Sequence, residues 1–118
     1  MSQIGDTTVA QAVFHGRARA ELRSLPRAVR KRVGAALWEL QLGHRLKMPL
    51  SRPLPGVASG VHELRLHDET RDFRVIYCLH PGLGVLVVSA FEKRSVRTPL
   101  RELALARRRL KDLLHEAT

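Results

Sequence analysis

A chain of 118 residues is long enough for one hydrophobic core and too short for two. It carries 21 Lys and Arg against 11 Asp and Glu, a net charge of +10 with a pI near 11.4, and its 44% hydrophobic content excludes a disordered polyelectrolyte. Such a charge selects polyanions: nucleic acid, an acidic membrane surface or an acidic protein all satisfy it, and the predominance of arginine favours phosphate. A single cysteine, Cys78, excludes an internal disulfide and a Cys-based zinc site. The start, "MSQIGDTTVAQAVFHG", has neither the basic opening nor the apolar core of a secretion signal, and no apolar run reaches membrane-spanning length. The expectation is a soluble cytoplasmic protein with no membrane association.

In chain order, "TVAQAVF" at 8–14 predicts a short strand, followed through Gly16 by a short basic helix holding Ala18, Leu22 and Leu25. Pro26 suits a first helical turn, and Val29, Val33, Ala36, Leu37 and Leu40 recur at steps of three and four, predicting a helix over 26–42 that Gly43 ends. The two helices form a hairpin whose outer side carries Arg17, Arg19, Arg23, Arg27, Arg30, Lys31 and Arg32 against one acid, Glu21. From Gly43 to Gly60, three prolines and three glycines read as a long irregular crossover. Three strands follow, at 61–67, 72–78 and 84–93, joined by the turns "DETR" and "HPGLG" into an antiparallel meander. Thr98 and Pro99 mark a last helix start, with Leu103, Ala106, Leu110 and Leu113 as its apolar stripe to about residue 115. The predicted architecture is one α+β domain over 1–118, a small antiparallel sheet against an N-terminal helical hairpin and a C-terminal helix.

Strand parity locates candidate chemistry. Leu64 and Leu66 share one face, and Glu63, Arg65 and His67 share the other; Phe73, Val75 and Tyr77 form an apolar face, leaving Arg74 on the opposite side. Antiparallel pairing then puts Glu63, Arg65 and Arg74 on one sheet surface, with Lys93, Arg94 and Arg97 at the exit of the last strand. Cations so placed suit a phosphodiester and the added charge of a pentacoordinate transition state. On this reading Arg74→Ala leaves the fold intact, because the side chain faces away from the helical core. The ordinary alternatives are a surface ion pair for Glu63 and Arg65 and a solvated rim for Lys93, Arg94 and Arg97. His62 and His67 fall on opposite faces, so they form no shared metal site, while His67 stands as a proton carrier in reserve. The run Arg107, Arg108, Arg109 and Lys111 is either the wet face of the last helix or an extension of a nucleic-acid footprint.

Together, "GVHELRLHDETRDFRVIYCLH" and "VLVVSAFEKRSVRTPLRELALARRRL" resemble the phage Gp49-like and HigB-type branch of the RelE/ParE superfamily of type II toxins, from about residue 14 to 114. The resemblance implies an mRNA endonuclease that acts on the ribosome and a helix-turn-helix antitoxin encoded in the same operon. Its active surface maps to Glu63, Arg65, Arg74 and Lys93–Arg94. Glu63 stands where the family pattern has a lysine, and no tyrosine follows the last strand. The resulting expectation is a metal-independent endoribonuclease without cofactors. Arg65 and Arg74 hold the scissile phosphate, Glu63 is the general base, and Lys93 or Arg94 neutralises the leaving oxygen. His67, Arg97, Arg107 and Arg108 extend the RNA contact. The rival readings are a ParE-like topoisomerase poison and a basic nucleic-acid-binding protein without chemistry.

Overall fold

The computed structural model describes residues 9–117. Its elements are β1 (Ala12–Phe14), α1 (Gly16–Arg23), α2 (Arg27–Gln41), β2 (Ser51–Pro53), β3 (Val61–His67), β4 (Asp72–His80), β5 (Gly84–Lys93) and α3 (Leu100–Glu116). They build an α+β fold with one five-stranded sheet in the order β1-β5-β4-β3-β2. The predicted meander is β3-β4-β5, all antiparallel, while β1 runs parallel to β5. No helix among the described residues is long and apolar enough to cross a membrane.

Two elements differ from the sequence reading. The crossover is not wholly irregular: Ser51, Arg52 and Pro53 pair with Leu64, Glu63 and His62 as an edge strand, where a proline's missing N–H costs no ladder bond. Strand β1 is shorter than expected, and the predicted start at Thr8 lies outside the described residues. Its approach to β5 requires Gly84: φ is +103°, and a Cβ there would stand 2.4 Å from the Gln11 carbonyl oxygen, which accepts the Val85 N–H at 2.8 Å.

Both sheet faces are covered. On one, Ala18 of α1 and Val29, Val33, Leu37 and Leu40 of α2 pack on Leu64, Leu66, Phe73, Val75 and Tyr77. Tyr77 is fully buried there, and its hydroxyl meets Ser51 Oγ at 2.6 Å, so the ring fills the core without stranding its polar end. On the other face, Ala106, Leu110 and Leu113 of α3 cover Val61, Ile76, Cys78, Leu86 and Val88, with Leu54 and Val57 of the crossover. Burial pushes the Cys78 thiol pKa up, as suits a packed, unreactive sulfur.

A register shift makes Ile76 face Ser89 while Tyr77 faces Val87, so Val88 is an extra residue in β5. Beyond Val87, whose carbonyl accepts the His15 N–H at 2.9 Å, β1 no longer covers that edge. Side chains from opposite faces close it instead. Arg109 Nη1 donates to the Val88 carbonyl at 3.0 Å, and Glu21 Oε1 accepts the Ala90 N–H at 3.1 Å. The two side chains also pair in a fork, at 2.8 and 3.0 Å. Glu21 is thus not a charge on the outer side of the hairpin, and Arg109, 7% exposed, does not belong to the wet face of α3. Glu21→Ala leaves a buried guanidinium and a strand N–H without their carboxylate. Chemical denaturation should show a loss of about 2–4 kcal/mol; a midpoint equal to that of the parent would contradict the clamp.

Candidate active site

The β3–β4 register sets Arg74 directly across from Arg65, and β5 brings Phe91 to the other side of Arg74. Two residues back, Glu63 faces Ile76 on β4 and Arg52 on β2. Arg52, Glu63, Arg65 and Arg74 therefore occupy one sheet face. The apolar residues of α3 lie over the Val61, Cys78 and Leu86 half of that face.

Glu63 and Arg74 are 2% and 6% exposed. One carboxylate oxygen lies 3.8 Å from Arg74 Nε, and the other accepts the Thr98 hydroxyl at 3.1 Å. Thr98 was expected to start the last helix, yet the cap position is Pro99, without a side-chain bond, and the threonine turns to the sheet. Arg74 Nη1 donates to the Phe73 carbonyl at 2.9 Å. Burial pushes the Arg74 pKa down, Glu63 opposes the shift, and Arg65 adds to it. A guanidinium keeps its proton regardless, so the site is permanently cationic.

Among the described residues, three buried side-chain atoms lack a hydrogen-bond partner: Arg65 Nε, Arg74 Nε and Ser89 Oγ. Two of them are cationic donors on residues that face each other across adjacent strands. Buried polar atoms are seldom left unpaired, and paired arginines with unused donors are suited to an oxyanion. Arg65 Nη1 donates to the Met48 thioether at 3.8 Å.

Beside them opens a cleft of about 550 Å³ between α2, the Leu46–Leu50 segment and the ends of β3 and β4. Its polar lining is Arg32, Glu39, Arg65, His67, Asp72 and Arg74, and its floor is aliphatic, with Ala36, Leu46 and Leu50. Arg32 donates to the His67 carbonyl and so joins α2 to the end of β3.

The structure thus brings together Glu63, Arg65, Arg74 and His67 and leaves other predicted residues elsewhere. Lys93 faces Asp72 in the register, but its ammonium is engaged by the Ser95 and Val96 carbonyls. Arg94 is largely exposed and turns to Glu92 at 3.2 Å, and Arg97 is exposed. Arg107 donates to the Val57 and Gly56 carbonyls at 3.3 and 2.9 Å, tying the crossover to α3. Arg108 lines a separate cleft with His15, Arg17 and Asp112. Arg32, Arg52 and Asp72 were missed as site residues: Arg32 was one basic residue among many on the helix, and Arg52 sat in a stretch read as irregular.

The burial of Arg74 beside Glu63 bears on the expectation that Arg74→Ala leaves the fold intact, because the substitution would strand the buried Glu63 carboxylate. Urea titration should show a loss of about 3–5 kcal/mol for Arg74→Ala. The double change Glu63→Leu, Arg74→Met should recover most of it. Equal stability of Arg74→Ala and the parent would argue against the pair.

Residues 20–111 match the family model described as phage derived protein Gp49-like. No curated protein sequence matches the chain. Among solved structures, the free-state form of an arginine-to-alanine double mutant of E. coli toxin RelE is similar, with a TM-score of 0.56 and 23% identity. The likeness covers 70% of this chain and 81% of that one and concerns the fold.

Proposed function

Because the chain belongs to the Gp49-like family, a family of RelE-like toxins, we propose that it is the toxin of a type II toxin–antitoxin pair and cleaves mRNA at the Arg65–Arg74 face. The observation that carries the reading is the pair of facing guanidiniums with unused, buried Nε donors at the head of an open cleft.

In the proposed reaction the ribose 2′-oxygen attacks the adjacent phosphorus, the P–O5′ bond breaks, and the products are a 2′,3′-cyclic phosphate and a 5′-hydroxyl. The nucleophile belongs to the RNA, so this route calls for no metal. Arg65 and Arg74 bind the non-bridging oxygens and stabilise the additional negative charge of the pentacoordinate state, a task that fixed donors in a partly buried site perform better than water does. His67, at the cleft lining, takes the 2′-hydroxyl proton. The departing 5′-oxygen takes a proton from water; Lys93 and Arg94, engaged by the Ser95 and Val96 carbonyls and by Glu92, are given no part in the step. Glu63 has one oxygen bonded by Thr98 and the other beside Arg74, so it serves better as a positioning residue for Arg74 than as the base.

The partner side of the proposal is a helix-turn-helix antitoxin encoded in the same operon. Acidic or apolar segments suited to a chain of net charge +10 would let it cover the cleft or dock on the basic helices. The ribosome is the proposed setting for cleavage.

Inducing the protein in cells and mapping 5′ ends of transcripts tests this directly. New 5′-hydroxyl ends within reading frames are expected, and Arg65→Ala should reduce them by about 10²–10³-fold, as loss of one transition-state donor does. DNA breaks without new RNA ends would instead identify a topoisomerase poison.

Affinity for single-stranded RNA should also fall with salt, with a log–log slope of about −2 to −3 for three or four phosphate contacts at about 0.7 each. A flat salt response would separate the basic surface from RNA.

A further inference from the structure

The cleft beside the arginine pair has more aliphatic lining than phosphate alone needs. Its volume of about 550 Å³ is lined by Arg65 and Arg74 of the sheet and by Arg32, Ala35, Ala36 and Glu39 of α2. Arg32 and Glu39 are seven residues apart on that helix, about two turns and ~10 Å along its axis. The lining combines cationic side chains, two of them with buried Nε atoms that lack a hydrogen-bond partner, with the Glu39 carboxylate and aliphatic carbon.

A mononucleotide complements this combination. Its phosphate is anionic, its base has two apolar faces, and the base edge carries N–H donors. We propose that the cleft is a single-nucleotide pocket with a preference for guanine. The phosphate sits at Arg65 and Arg74, the base lies over Ala36 and Leu46, and Glu39 accepts the N1–H and N2–H pair at the guanine edge.

Glu39 is held for that role. His44 Nδ1 lies 2.6 Å from its Oε1, which orients the carboxylate, and the group is half exposed at the cleft rim rather than sealed. An ionised carboxylate only accepts hydrogen bonds, so it matches guanine's two adjacent donors, while uracil offers one N–H flanked by two carbonyl oxygens that it would repel. The proposal rests on the phosphate-binding reading of Arg65 and Arg74, but it adds a base-recognition element that the reaction itself does not require.

Direct binding of nucleotides to the purified full chain tests it without using RNA cleavage as the readout. In calorimetric titrations, guanosine 3′-monophosphate is expected to bind about tenfold more tightly than uridine 3′-monophosphate, the discrimination of one bidentate base contact, and more tightly than inorganic phosphate. Glu39→Gln, an exposed change that spares the core, should bring guanosine 3′-monophosphate down to the uridine level and leave inorganic phosphate binding unchanged. Ala35→Trp, which fills the cleft, should abolish the advantage of both nucleotides over inorganic phosphate. Equal binding of the two nucleotides by the parent chain, or an undiminished preference in Glu39→Gln, overturns the pocket. The two readings fail separately: selective nucleotide binding without RNA cleavage keeps the pocket and removes the nuclease. RNA cleavage with nucleotides binding no better than phosphate does the reverse.

Discussion

The fork between Arg109 and Glu21 is the contact from which the rest of the arrangement follows. A buried ion pair alone is a weak source of stability, because desolvating two charges offsets much of their attraction. Here each partner also satisfies the backbone of β5, at the Val88 carbonyl and the Ala90 N–H, where the bulge and the short β1 leave the edge without a neighbouring strand. The pair therefore fixes α1 and α3, which approach from opposite faces of the sheet, against the same two peptide groups. With α3 anchored, the segment between Lys93 and Leu100 must turn back over the sheet. That turn carries Thr98 to Glu63, and Glu63 in turn stands beside Arg74.

The candidate active face reverses the logic of that clamp. In the clamp every hydrogen-bonding atom of the Arg109 fork that matters to the strand edge is used; at the Arg65–Arg74 pair, buried nitrogens remain unused. Leaving cationic donors unsatisfied lowers stability, and functional sites are where such costs are retained. An anion bound as proposed would supply the missing acceptors and so would stabilise the fold around it.

Much of this was legible in the sequence where one face of an element is apolar and the other is not. The stripe of α2, the stripe of α3 and the alternation of β3 and β4 gave the correct faces, and Arg74 was correctly placed beside Arg65 and Glu63. The bulge was not legible, because Val85–Val88 is apolar on both faces and parity carries no signal there. Strand β2 was hidden by its length and its proline. Arg109 was misjudged although a signal existed: it lies three residues after Ala106 and four before Leu113, on the buried stripe rather than opposite it. What no single-sequence pattern conveyed was depth. The charged face of the sheet was recognised as charged, but that Glu63 and Arg74 lie buried within it depends on covering segments whose paths only the tertiary structure reveals.

The side-chain closure of β5 has a consequence for how other chains can engage this molecule. An open sheet invites a foreign strand to extend it by backbone pairing, the mode behind both peptide augmentation and edge-to-edge aggregation. Among the described residues, one outer edge is the three-residue β1, continued by the Glu21 and Arg109 plugs. The other is the three-residue β2, which ends in a proline with no N–H to offer. Neither edge is long enough to template a new strand. Backbone pairing at β1 or β2 is thereby limited, and a highly basic protein keeps those edges of its sheet from zipping to neighbours.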